Sequence, residues 1–195
     1  MPERTRTFIA IAVPEPVEQK LTQLQAELAP EIAGFRWNST RPFHITLAFL
    51  GDVPDGDLNK ICQAVAASTV SFHPLKIEVR GLGAFPNATR PRIVWAGTTA
   101  TNINALIDLR QSIVGQLKRI GHDPDEERFH PHVTIGRIKH DRRDSRGLHT
   151  LIEARAGWSA GEFEVAEVLV MASTLGRAGP VYEVLGRGDL GGKKP

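Results

Sequence analysis

The sequence predicts an α+β fold of two pseudo-symmetric lobes, and three observations point to it. Segments with strand character alternate with segments of helical periodicity. Two strands at 75 to 98 and three at 161 to 185 follow one another without a helix between them, as adjacent antiparallel strands do and those of a doubly wound sheet do not. Each half of the chain also carries a long helix, a strand bearing His-x-Thr-x and a strand pair, a weak internal echo. Each lobe is expected to be a mainly antiparallel sheet with helices on its outer face, and the two to meet across a cleft.

In chain order, Thr5 to Val13 is rich in β-formers and ends at Pro14, so it reads as a strand. Pro16 opens a helix whose apolar positions Val17, Leu21, Leu24 and Leu28 recur at helical spacing up to Pro30. A short strand at Phe35 to Asn38 precedes a stronger one at Phe43 to Leu50; Gly51 and Asp52 read as a turn. Leu58, Ile61 and Val65 then give Asp55 to Ala67 a helical face. Leu75 to Phe85 and Arg92 to Thr98 read as a hairpin with a long connection containing Pro86, Asn87 and Pro91. Ile103, Leu106, Leu109, Ile113 and Leu117 mark the face of a long helix that Gly121 stops. Past the polar loop from Asp123 to Arg128 comes the strand His132 to Ile138, then the charge-dense stretch Asp141 to Arg146 and a short helix at Leu148 to Ala154. Strands at Gly161 to Val165, Val168 to Leu175 and Pro180 to Leu185 close the fold. One domain over residues 1–188 is expected, with a frayed polar tail at 189–195.

Composition excludes several classes. With 195 residues, 41% hydrophobic and 24% charged, the chain has the balance of a globular domain able to bury a core. Its 24 Lys and Arg against 22 Asp and Glu leave a formal charge of +2, so it lacks the generally basic surface of non-specific duplex binders, and any nucleic-acid contact must be local. Phe8 to Val13, the longest N-terminal apolar run, is too short for a signal-peptide core or a membrane span, so a cytoplasmic protein with no membrane contact is expected. The single cysteine, Cys62, cannot make an internal disulfide and falls on the apolar helix face with Leu58, Ile61 and Val65.

The chemistry is concentrated in two copies of one pattern. His44-Ile45-Thr46-Leu47 and His132-Val133-Thr134-Ile135 each read His, apolar, Thr, apolar. Side chains alternate along a strand, so each copy presents an imidazole and a hydroxyl on one face and two apolar residues on the other. If the halves face each other about an approximate two-fold, the four polar groups converge on one cleft. Two hydroxyls could then donate to the non-bridging oxygens of a phosphate while two imidazoles flank the phosphorus. Histidine suits acid and base roles because its pKa, about 6.5, keeps both forms accessible near neutrality. No cofactor is required by that chemistry. A single such motif would be an ordinary strand histidine; two in matching contexts are not. A zinc reading stays open through His130 and His132, with His122 and His140 near in sequence, although no carboxylate or cysteine completes the set. His73 and His149 carry no pattern and read as surface residues.

At these motifs the sequence resembles the two-histidine phosphoesterases, in particular the bacterial and archaeal RNA 2',3'-cyclic phosphodiesterases once described as 2'-5' RNA ligases. The resemblance extends to Arg6-Thr7-Phe8-Ile9-Ala10-Ile11, Phe35-Arg36-Trp37, Phe43 through Gly51, Phe85-Pro86, Arg90 through Trp95, His130 through Arg137, and Gly179-Pro180-Val181-Tyr182. It implies that His44 donates a proton to the ribose O3' leaving atom, that His132 activates water, and that the product end is a 2'-phosphate. It implies further that Thr46, Thr134 and Arg137 hold the phosphate, that no metal or other cofactor takes part, and that the partner is an RNA end or a small cyclic nucleotide; a cleft between internal halves requires no partner chain, so a monomer is expected. Strict alternation places Arg137 on the face of Val133 and Ile135, so it reaches the cleft only through a bulge near Gly136. Phe43 and Phe129 flank the motifs and could stack on a base, but core packing is the first reading for Phe43 and an equal one for Phe129. Arg36, Arg41, Arg90 and Arg92 are candidate guides for an RNA backbone. Two other functions stay open: a module that binds a nucleotide or RNA end without turnover, and 2'-5' phosphodiester cleavage or ligation, which the same acid and base could run.

Overall fold

A computed structural model describes residues 3–32, 34–124, 129–138, 147–176 and 179–191. The charge-dense stretch at 141–146, most of the polar loop at 123–128 and the last four residues of the expected tail lie outside these. The elements in chain order are β1 (Arg4–Ala12), α1 (Glu15–Leu28), β2 (Phe35–Trp37), β3 (His44–Pro54), α2 (Leu58–Thr69), β4 (Leu75–Phe85) and β5 (Ile93–Ala100). They continue with α3 (Ile103–Arg119), β6 (His132–Ile138), α4 (Leu148–Ala154), β7 (Ser159–Val165), β8 (Glu167–Gly176) and β9 (Gly179–Asp189).

The strands form one curled antiparallel sheet in the order β7-β4-β5-β6-β3-β1-β8-β9, with β2 pairing β6 beside that path. Four strands stand on each side of the β6/β3 seam, which is a single matched pair, Ile45 with Val133. The lobes are therefore two halves of one sheet, and they are not the two halves of the sequence. β4 and β5, which precede the second motif, complete the lobe of β6 and β7, while β1 from the start of the chain joins β8 and β9 from its end. Strand pairing is decided by long-range partners that a local pattern does not contain. The helices cross over as well: α1 follows β1 yet packs against β6 and β7, and α2 packs against α3, β8 and β9.

Ile45, Leu47, Val133 and Ile135 turn away from the cleft into the main core, shared with Leu21, Leu24, Leu106 and Ile113 of the helices. On the other face a smaller cluster of Phe8, Ala10, Leu169 and Met171 packs against Tyr182. The long helix ends as its sequence predicts, with Asn102 accepting from the Ala105 N–H at 3.2 Å at its start and Gly121 at φ +88° just past its end.

Two boundaries move. Gly51 and Asp52 do not end β3: Gly51 takes φ +66° inside the strand, opposite Thr7, and pairing with β1 runs on to Pro54. The last strand also passes residue 188. β9 continues to Asp189, and Leu190 is buried with its N–H donating to Ala166 O at 2.8 Å. No helix among the described residues is long and apolar enough to cross a membrane.

Candidate active site

The pairing of Ile45 with Val133 at the antiparallel seam puts His44 beside Thr134 and Thr46 beside His132. All four line one cleft of about 390 Å³, large enough for a nucleotide-sized ligand. The local two-fold runs through the seam, so each imidazole stands across from the other motif's hydroxyl.

Both histidines are anchored alike. Nδ1 of His44 lies 3.2 Å from Pro42 O, and Nδ1 of His132 lies 2.6 Å from His130 O. A carbonyl only accepts, so Nδ1 carries the proton in each, and Nε2 is the nitrogen left for a ligand. Each ring also stands between two aromatics. His44 has Phe8 at 4.9 Å and Tyr182 edge-on at 5.1 Å, and His132 has Phe85 edge-on at 5.0 Å and Trp95 at 6.0 Å. Burial among these rings pushes both imidazoles below the ordinary 6.5. The anchoring carbonyl works against that for each; the charge of Arg137 adds to the lowering of both, with His132 adding for His44 and His130 for His132. Burial conversely raises the Tyr182 phenol above 10.0, opposed by Arg137, which keeps its hydroxyl a donor.

The fourth residue of each motif is a bulge. β1 pairs Ala48 and Thr46 with consecutive residues and skips Leu47, and β5 likewise pairs Gly136 and Thr134 and skips Ile135. In both strands a side chain from a helix beneath takes the bulged carbonyl. Arg110 Nε of α3 donates to Leu47 O at 2.9 Å; Gln25 Nε2 of α1 donates to Ile135 O at 2.7 Å and to Asn38 O at 2.8 Å. Each bulge shifts the alternation by one, so the fifth residue after the histidine returns to the cleft face. In β6 that residue is Arg137; in β3 it is Phe49, and both line the cleft. Phe49 stands at the same offset from His44 as Arg137 does from His132.

A family model for LigT-like phosphoesterases matches residues 11–95 and 99–182. The chain belongs to that family. Over 180 residues this LigT-like phosphoesterase is 33% identical to an RNA 2',3'-cyclic phosphodiesterase of Archaeoglobus fulgidus, covering 92% of this chain and 97% of the relative. Over 188 residues it is 30% identical to one of Aquifex aeolicus, covering 96% and 98%. Among solved structures it is similar to a Thermus thermophilus protein, with a TM-score of 0.79 at 26% identity over 97% of this chain and 100% of the other. It is also similar to E. coli LigT complexed with 3'-AMP, with a TM-score of 0.77 at 25% identity over 96% and 99%.

Several sequence candidates stand elsewhere in this LigT-like phosphoesterase. Phe43 is fully buried in the main core with the Arg41 guanidinium 4.1 Å from its ring centroid, because alternation puts it on the face of Ile45, away from His44. Phe129 packs against the same core with Arg110 4.9 Å from its ring. Neither lines the cleft, so neither can serve there as a stacking platform. Phe8, Trp37, Phe49 and Tyr182 supply the cleft's aromatic surface instead. Of the candidate guiding arginines, Arg36 lines the cleft, whereas Arg41 pairs with Glu18 at 3.5 Å. The zinc reading finds no group of three donors among the described residues; His122 pairs with Asp57 at 3.6 Å, and His140 lies outside those residues. The Trp95 wall of His132 depends on Gly83, where a Cβ would come within 2.1 Å of the indole.

Proposed function

We propose that the chain hydrolyses the 2',3'-cyclic phosphate end of RNA to a 2'-phosphomonoester by acid and base catalysis at two histidines, with no metal. The reading rests on one observation above all: two histidines anchored through Nδ1 meet across one ladder pair, each beside the other's threonine. Water attacks phosphorus in line with O3'. The P–O bond to water forms as P–O3' breaks; Nε2 of His132 takes the water proton and Nε2–H of His44 gives one to O3'. Thr46 and Thr134 donate to the non-bridging oxygens, and Arg137 offsets the negative charge that grows on them. The donor and acceptor roles follow the family resemblance, since the local two-fold makes the histidines equivalent in position. The names of the A. fulgidus and A. aeolicus relatives support the same substrate.

The deciding experiment incubates an oligoribonucleotide ending in a 2',3'-cyclic phosphate with the protein in excess EDTA and maps the product by mass and phosphatase sensitivity. A 2'-phosphate end is expected. Turnover that returns only with added divalent cation would overturn the metal-free chemistry, and tight binding without turnover would make the chain a binding module.

The pH dependence has a sign. A lowered pKa frees the base at lower pH and strips the acid of its proton at lower pH, so both limbs of the bell move the same way. In kcat/KM, which reports the free enzyme, the optimum is expected below 6.5. Bound phosphate counters Arg137 and favours the charged imidazoles, so the bell in kcat should lie at higher pH than that in kcat/KM. Profiles displaced the other way would contradict this.

A further inference from the structure

From the cleft geometry we infer a second anion subsite at Arg6 and Ser173 that takes the phosphodiester preceding the terminal nucleotide, so that the preferred substrate is an RNA chain and not a mononucleoside cyclic phosphate. The inference rests on the hydrolase reading above and concerns a different part of the cleft. Arg6 on β1 and Ser173 on β8 are register partners, which puts both side chains on one face, and both line the cleft. They pair a guanidinium with a hydroxyl, as Arg137 and the motif threonines do near the histidines.

Charges are sorted around the cleft. Arg41, Arg80, Arg155 and Arg187 each pair with a glutamate, and none of them lines it. Arg6 and Arg137 line it and form no ion pair with a carboxylate among the described residues, and no Asp or Glu lines it either. Asp52, the partner of Arg6 on β3, makes no bridge to it. Three arginines, Arg6, Arg36 and Arg137, line a cleft with no carboxylate in its lining, and two of them have no carboxylate partner among the described residues; that calls for more than one negative charge.

The strand spacing sets Arg6 apart from the motif threonines. Thr46 faces Ala10 on β1, four residues from Arg6, a distance of about 13 Å along the strand. That is beyond one cyclic phosphate and within reach of the next nucleotides. The intervening surface is continuous: Phe8 lies 4.9 Å from His44, Phe49 stacks on Phe8 at 5.7 Å and 12°, and the Arg6 guanidinium lies 5.1 Å from the Phe49 centroid. Phe49, 38% exposed, holds the guanidinium by cation–π attraction while its N–H edges stay free for phosphate oxygens.

The test compares kcat/KM for 2',3'-cyclic AMP, which has no 5' phosphate, with that for a short oligoribonucleotide ending in the same cyclic phosphate. In the wild type the oligonucleotide is expected to win, and in Arg6→Gln the ratio of the two values should fall about tenfold, with recovery in Arg6→Lys. A ratio unchanged in Arg6→Gln, whether both substrates lose equally or neither does, overturns the subsite; a Tm measurement checks that the variant is folded. If the wild type turned over neither substrate, the hydrolase reading would fall, and the subsite would be decided by binding alone. Arg6→Gln should then reduce the salt slope of log Kd for a 2'-phosphorylated oligoribonucleotide by about 0.7 and leave that for adenosine 2'-monophosphate in place. An unchanged oligonucleotide slope would dismiss it.

Discussion

Replacing either His44 or His132 with alanine is expected to lower kcat on a cyclic-phosphate RNA end by roughly 100 to 10,000-fold, the range of one positioned proton transfer. The fold should survive, because each imidazole lines the cleft and its hydrogen bond is to a carbonyl only two residues away. The double variant should be little worse than the more damaged single one, since the pair acts as a unit. A leaving group that needs no proton separates the roles. With O3' replaced by sulfur, His44→Ala should regain most of its rate and His132→Ala should not. Rescue of His132→Ala instead would exchange donor and acceptor, and near wild-type turnover in both alanine variants would sink the mechanism.

The second large effect concerns a residue that never meets the ligand. Gln25 is 7% exposed, and its amide donates to Ile135 O at 2.7 Å and Asn38 O at 2.8 Å. Gln25→Leu removes both bonds; Ile135 O keeps the Asn38 N–H at 2.9 Å, so the unmet acceptor is chiefly Asn38 O, at a cost of about 1–3 kcal/mol that should appear as a fall of several degrees in Tm. Positioning predicts more. The bulge at Ile135 aims Arg137, so KM for the cyclic end should rise by more than kcat falls, and the limbs of the pH profile should move up as the Arg137 charge shifts from the imidazoles. A lower Tm with unaltered KM and pH profile would reduce Gln25 to a core residue.

The site was legible where its geometry is local. Alternation along a strand is enough to put His44 with Thr46 and His132 with Thr134, and to show that Arg137 needs a bulge. The same alternation assigns Phe43 to the core, the role favoured for it from the sequence. Phe49 escaped notice because Leu47, Ala48, Phe49 and Leu50 form one apolar run in which no residue marks the bulge. Tyr182 and Phe8 flank His44 from strands far away in the chain, and no local pattern states that β8 and β9 come to lie beside β1. The same lack of long-range information let the internal echo suggest lobes that follow the sequence, where the sheet instead interleaves the two halves.

That interleaving bears on how the protein opens, melts and breaks. β1, β3, β8 and β9 stand on one side of the seam, β4 to β7 with β2 on the other, and the chain passes between the sides on either flank of β2, at residues 55–74 and again near 166. A cut near the middle of the chain would leave two fragments, neither with the strands of a complete lobe. The lobes are thus expected to share one folding transition. Heat should then dismantle the reactive constellation only together with the whole molecule.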